Sequence, residues 1–301
     1  MAAQEALDGP AGETPSPPQR TKPPELEDWL NARIYHPLSG RLAAALDGTP
    51  ITPNMVSVSG GTAVVLAGIF YIGVGGALGV ALGFLTHALW HVLDGADGDL
   101  ARRTGQASAW GELIDGASDY VSHFLLYCIL GIWLGQHLGF WAYALGLAAG
   151  LSRIAQANHG ESGRRIYLWR VYGVPWLKQT EPAAETQAER RGPVARLIAF
   201  CGRAYVAAAV DPLGARVDEI VARDAPDGPA RRLCRELSRR PLRLQNLLGP
   251  NLRTVALGLS MATGTPLWFF LLEVLPFNAL LLWSRRAQRR CDRTLAERLG
   301  A

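Results

Sequence analysis

Residues 53–93 read PNMVSVSGGTAVVLAGIFYIGVGGALGVALGFLTHALWHVL, and no Asp, Glu, Lys or Arg interrupts them. About 20 apolar helical residues cross the roughly 30 Å hydrocarbon core of a bilayer, so this stretch suffices for two crossings. Gly73, Val74, Gly75 and Gly76 supply the turn between them, which predicts spans over 53–73 and 76–100. Further along, Tyr120 to Ser152 is also uncharged, too long for one crossing, and interrupted by Gly135, Gln136, His137, Leu138 and Gly139. That pattern predicts spans near 108–135 and 139–159. Thr254 to Ser284 carries only Glu273 and breaks at Gly264, Thr265 and Pro266, predicting spans at 247–264 and 266–284. The expected fold is therefore all-α, a polytopic membrane bundle of about six transmembrane helices.

The charges support this arrangement. Lys and Arg gather before the first span, between the second and third, between the fourth and fifth, and after the sixth, while the three opposite loops have none. The positive-inside rule then predicts a multi-pass protein of the cytoplasmic membrane with both termini on the cytoplasmic side. Of the 30 basic residues only Lys22 and Lys178 are lysines, and the formal net charge is +4. In a membrane protein such a surplus reflects topology and anionic lipid, so no nucleic-acid partner is expected. An apolar fraction of 49% against 19% charged residues excludes a purely soluble enzyme and a disordered chain. Cys128, Cys201, Cys234 and Cys291 stand far apart with no CxxC pair, which reads as reduced packing residues rather than a disulfide framework or a metal site.

Between and around the spans lie polar segments. Residues 1–24 hold Pro10, Pro15, Pro17, Pro18, Pro23 and Pro24 among polar neighbours and read as a disordered tail without signal-peptide character. Over 25–49, Leu26, Trp29, Leu30, Ile34, Tyr35, Leu38, Leu42 and Leu46 recur at helical steps, predicting an amphipathic interfacial helix kinked at Pro37. Residues 50–160 hold the first four spans and the active site, 247–285 the last two, and 286–301 a cytoplasmic tail. The intervening 161–246 reads as a cytoplasmic or interfacial segment, with an apolar helix at Val194 to Val210. Its Arg231, Arg232, Arg235, Arg239, Arg240 and Arg243 recur at steps of three and four, which suits either a solvated helix or attraction to anionic headgroups or an acidic substrate.

Asp94, Asp97, Asp115 and Asp119 fall inside or at the ends of the second and third spans, where a lone carboxylate costs about 2.5 to 3.5 kcal/mol on insertion scales and is kept mainly for function. Three and four residues apart, each pair shares a helix face. A short turn around Arg103 to Ser108 brings the two faces together at the boundary. Four carboxylates so placed repel one another unless a cation neutralises them. Oxygen-only ligands favour Mg²⁺, Mn²⁺ or Ca²⁺, and two such ions form the usual clamp for displacement at phosphorus. Gly98, Ala101 and Gly111 leave room for a flat base or a phosphate chain, and Arg102 offers a positive fork.

From Asp94 to Asp119 the chain reads D-x2-D-G-x2-A-R-x8-G-x3-D-x3-D, which resembles the signature of the CDP-alcohol phosphotransferase (CDP-alcohol phosphatidyltransferase) family. The resemblance implies a six-span helical enzyme, usually a homodimer, that moves a substituted phosphate from a CDP-linked donor to an alcohol and releases CMP. For this chain it implies Asp94, Asp97, Asp115 and Asp119 as ligands of two Mg²⁺ or Mn²⁺ ions, with Asp119 also the general base. It implies Gly98, Ala101, Arg102 and Gly111 as the positions holding the CDP moiety. The expected reaction moves a phosphatidyl or similar group from a CDP-linked lipid to a polar alcohol, in phospholipid biosynthesis. The 161–246 segment has no counterpart in the smaller members.

Neighbouring residues carry competing readings. Arg153, Asn158 and His159 could select the acceptor, or Arg153 could simply snorkel. His91 reads as a packing residue, Asp99 as solvated, and Glu112 lies near the Asp119 face by helical angle. Two rival functions use the same acids. A membrane prenyltransferase needs a second acidic motif, and the sequence has one cluster. A divalent-cation transporter needs carboxylates at mid-membrane, whereas these adjoin Arg102 and Arg103.

Overall fold

A computed structural model describes residues 23–26, 28–175, 192–193, 196–197, 200, 207 and 212–300. Most of the expected tail over 1–24 and most of the expected helix at 194–210 lie outside the described residues. The described elements are helical, with no strand among them. In chain order they are α1 (His36–Leu46), α2 (Pro53–Gly73), α3 (Gly76–Arg103), α4 (Ala109–Leu138), α5 (Phe140–Tyr172), α6 (Pro212–Ala222), α7 (Pro229–Leu237), α8 (Arg239–Asn246), α9 (Pro250–Ala262), α10 (Leu267–Val274) and α11 (Pro276–Leu299).

Local chemistry sets the boundaries. The Thr52 side chain accepts from the Met55 N–H and caps α2, with Pro53 in its first turn; Ser108 caps α4 by accepting from Gly111. Gly139, at φ +90°, makes the break between α4 and α5, and Gly173, at φ +67°, ends α5 in the left-handed conformation. Ahead of α1, Pro37 has no N–H to donate. A π-helical turn over Asn31–Tyr35 precedes it, and the His36 N–H reaches back to the Asn31 carbonyl.

Four stretches are long and apolar enough to cross a membrane: Pro53–Gly73, Gly76–Arg103, Trp110–Leu138 and Leu267–Leu299, the last of these comprising α10 and α11. The other two expected spans differ. α5 has 33 residues but is charged through its second half, and α9 has 13, about 20 Å at 1.5 Å per residue. The expected end of the sixth span near 284 is not a helix end, because α11 continues to Leu299.

The bundle core joins Val64, Ala67 and Tyr71 of α2 with Trp90, Leu126, Leu130, Leu257 and Phe270. α2 packs on both α3 and α4, while α3 and α4 make little direct backbone contact. The sequence predicts α3 and α4 as direct neighbours; instead each packs on α2, where Gly60 faces Trp90 of α3 and Gly61 and Gly68 face α4. A Cβ at Gly61 would lie 2.5 Å from Ser118 Oγ, and one at Gly68 would lie 2.9 Å from Leu126 Cδ1. α1 is held against α3 by the Ser39 hydroxyl, which donates to the Val92 carbonyl at 2.8 Å, and Ala43 packs with Val56, Ala96 and Leu100.

A second apolar cluster unites the end of α5 with α6, α7, α8 and α11 through Tyr167, Val171, Val217, Val221, Leu242 and Leu295. At its centre the buried Arg170 guanidinium donates to Asp218 at 2.7 Å, to Asp292 at 2.5 Å and to the Gly214 carbonyl at 3.0 Å. Where described, much of the 161–246 segment is therefore packed into a helical layer. Cys234 is buried there and its thiol is pushed up to about 11 by burial; Cys291 is likewise free and buried, Cys128 is free and half-buried, and Cys201 lies outside the described residues.

Candidate active site

Close packing on α2 builds the site. Ser57 of α2 reaches both neighbours: its carbonyl accepts from Ser118 Oγ of α4 at 3.1 Å, and its hydroxyl donates to Asp97 of α3 at 2.5 Å. Asp97 is buried, also accepts from the Gly98 N–H, and lies beside the Asp115 carboxyl. One turn up α2, Gly60 leaves space for the Trp90 ring, whose Cδ1 lies 3.3 Å from where a Cβ would stand. Trp90 then extends across the gap between α3 and α4, and its indole N–H donates to Asp119 Oδ1 at 2.8 Å.

Asp94, Asp115 and Asp119 each present a ligand atom within 4.8 Å of the other two, and Asp97 adjoins the group through Asp115. All four expected carboxylates are thus brought to one place. Asp97, Asp115 and Asp119 form no ion pair among the described residues. Oxygen donors at this separation fit one or two hard divalent cations.

The motif's other positions lie on the same two helices, α3 and α4. Arg102 is more than half exposed and pairs with Asp99, so Asp99 is an ion-pair partner rather than a merely solvated acid. Its Nη1 lies 3.4 Å from the place a Gly98 Cβ would take, so the missing side chain lets the guanidinium lie over α3. Gly111 sits in the first turn of α4 facing Ser108 and Asn54, and Ala101 is half-buried on α3. Glu112 is engaged elsewhere, by Arg165 of α5 at 2.9 Å. Arg165 also binds Glu161 at 2.6 Å, as does Arg164. Burial alone would raise the Glu161 carboxyl, but the two guanidiniums outweigh it and hold the group well below the ordinary carboxylate range.

Behind Trp90 and Asp119 lies a cavity lined by His87, His123, Arg153, Arg253, Tyr127 and Phe269. Arg153 faces this cavity with its Nε unbonded among the described residues. His91 is a packing residue: it stacks on Tyr35 with ring centroids 4.6 Å apart and hydrogen-bonds Thr254 at 2.9 Å. His159 is bonded to Ser284 at 2.9 Å, and the Asn158 carbonyl accepts from Ser162.

These acids sit inside a recognisable segment. Residues 50–168 match the CDP-alcohol phosphatidyltransferase family. The match runs from just before α2 to near the end of α5, so it takes in the four carboxylates together with Gly98, Ala101, Arg102 and Gly111, and stops short of α6 to α11. A CDP-alcohol phosphatidyltransferase domain supports phosphotransfer from a CDP-alcohol, carried here on membrane helices. The family uses divalent metals, and the Asp94, Asp115 and Asp119 group could hold one. Comparison with curated proteins finds no match.

Sequence reasoning missed Ser57 and Trp90. The Gly60, Gly61 pair within an otherwise apolar helix was the available signal, because such a pair marks where another element comes close.

Proposed function

We propose that the protein transfers a phosphatidyl or similar phospho-group from a CDP-linked lipid to a polar alcohol, releasing CMP, as a step of phospholipid biosynthesis. The observation carrying this reading is the convergence of Asp94, Asp115 and Asp119 within 4.8 Å inside the segment that matches the family. On this reading the enzyme works in the cytoplasmic membrane as a homodimer, with termini and site on the cytoplasmic side, where a donor with a polar head and an apolar tail lies half in each phase.

Asp94, Asp97, Asp115 and Asp119 would hold two Mg²⁺ or Mn²⁺ ions, which when bound neutralise the diphosphate and the charge developing on departing CMP. Ser57 fixes Asp97, and Trp90 occupies Oδ1 of Asp119, leaving Oδ2 to take the acceptor's proton. The acceptor oxygen then bonds the phosphorus that bears the lipid, the bond from that phosphorus to the bridging oxygen breaks, and its electron pair leaves with CMP. Gly98, Ala101 and Gly111 let the CDP moiety approach the backbone. Arg102, exposed and paired with Asp99, is able to turn to a phosphate oxygen.

The test is CMP release from a panel of CDP-lipids and alcohols by purified protein. One pair should yield CMP and a new phosphodiester in equal amounts. Release of inorganic diphosphate from prenyl donors, or cation flux without CMP, would replace the reading with one of its rivals.

A further inference from the structure

We propose that α8 and the second half of α11 form a docking face for anionic phospholipid headgroups, separate from the carboxylate site and independent of the reaction assigned to it. The sequence offered Arg231, Arg232, Arg235, Arg239, Arg240 and Arg243 for such a role, and the structure sorts them. Arg231 turns inward, donating to the Trp169 and Val221 carbonyls at 3.2 Å each. Arg235 lies over the Tyr172 ring and opposite Asp227. Arg239, Arg240 and Arg243 of α8 are exposed, and so are Arg286, Arg290 and Arg293, which recur at helical spacing along α11. None of these six forms an ion pair among the described residues.

Two observations identify the partner. The first is height. α8 is fixed against α11 by Gln245, which donates to Gln288 at 3.1 Å, and by Ser238 beside Cys291, so α8 lies alongside the arginine-bearing stretch of α11. Immediately toward the apolar side, Leu247, Leu282 and Trp283 are each more than half exposed. An exposed Trp beside exposed Leu, followed within a turn by arginines, is the pattern of a bilayer surface, where headgroup phosphates lie. The second is charge. No Asp or Glu occurs between Ser238 and Pro250 or between Pro276 and Cys291, and Asp292 is buried against Arg170. Glu297 is the exposed acid on this part of α11 and is outnumbered by Arg285, Arg286, Arg289, Arg290, Arg293 and Arg298, so the face is strongly net cationic, and each arginine near an anionic membrane surface adds attraction.

The experiment titrates purified full-length protein in detergent with phosphatidylglycerol or phosphatidylcholine and counts retained lipids by native mass spectrometry. The wild type should retain the anionic lipid over the neutral one by about tenfold or more. Combining R239Q, R240Q and R243Q with R286Q, R290Q and R293Q should bring the two lipids close to parity, while CMP release from a short-chain donor stays at the wild-type rate. Parity in the wild type, or an unchanged preference in the variant, overturns the proposal. If the variant does not elute as a monodisperse species, the wild type alone decides the question. Raising salt from about 0.1 M to about 1 M shortens the Debye length from roughly 10 Å to roughly 3 Å and should erase the preference. A salt-insensitive preference overturns the proposal. So does protection of α8 amides from hydrogen exchange by soluble polyglutamate that equals the protection given by phosphatidylglycerol vesicles, since that marks an acidic polypeptide as the partner.

Discussion

In the rear of the bundle and in the layer beyond it, buried carboxylates meet arginines: Glu273 lies 2.9 Å from Arg253, and Asp218 and Asp292 share Arg170 at 2.7 and 2.5 Å. At the front, Asp97, Asp115 and Asp119 crowd with Asp94 and have no arginine among the described residues within ion-pair distance. The contrast separates structural acids from functional ones. An acid kept for stability is neutralised by the chain itself, whereas one kept for a ligand is left for the ligand to neutralise.

The strongest test of this contrast removes the ligand. Excess chelator should bring CMP release to background, and readdition of Mg²⁺ or Mn²⁺ should restore it; full turnover in chelator would mean the front acids work without a cation. Next in size is Asp119→Asn, expected to lose about 10² to 10⁴-fold in turnover, as loss of a general base does. Asp99→Asn, whose carboxylate only pairs with Arg102, should stay within a few fold. Comparable mild effects at both positions would remove Asp119 from the chemistry, and a loss at Glu112→Gln as deep as that of Asp119→Asn would extend the reacting shell to the Arg165 pair.

Stability should respond in opposite senses in the two regions. Arg253→Met leaves Glu273 buried and uncompensated, and breaking such a pair costs about 3 to 5 kcal/mol. Asp115→Asn relieves repulsion in metal-free protein and should leave thermal stability equal or higher. A loss of stability at Asp115→Asn in chelator would show that the front acids are structural after all. Smaller again is Trp90→Phe, which keeps the ring in the space left by Gly60 but removes the bond to Asp119. A hydrogen bond to a charged group is worth about 1.5 to 3 kcal/mol, so turnover should fall roughly 10- to 100-fold with little change in stability.

How far the sequence could be read depended on distance along the chain. The four carboxylates were legible because their spacing on two consecutive helices puts them on shared faces, and the long apolar blocks marked the main spans. Ser57 and Trp90 were not, because their roles depend on which helix lies next to which, and α2 packing between α3 and α4 follows from shape at Gly60, facing α3, and at Gly61 and Gly68, facing α4, rather than from periodicity. The layer formed by α6 to α8 was equally hidden. Its arginines look alike in sequence, and only packing decides that Arg231 turns inward while Arg239 and Arg243 face out.

The smallest expected effect concerns the acid that stands between the two regions. Glu161 binds Arg164 and Arg165, and Arg165 also holds Glu112 of the matched segment, so this cluster links α5 to α4 beside the site. Its carboxyl is held below its ordinary value near 4.5, against burial, by the two guanidiniums. The folded state therefore binds fewer protons than the unfolded chain as pH falls through that value, and the stability the pair adds is complete at neutral pH and is lost only under acid conditions. Comparing melting temperatures of the wild type and Glu161→Gln across pH should give a modest, constant advantage to the wild type from about pH 8 to about pH 6, narrowing as pH drops below the ordinary carboxylate range. An advantage that widens toward low pH would reverse the sign and show that Glu161 enters the fold protonated, like an acid awaiting a ligand rather than one already satisfied by its arginines.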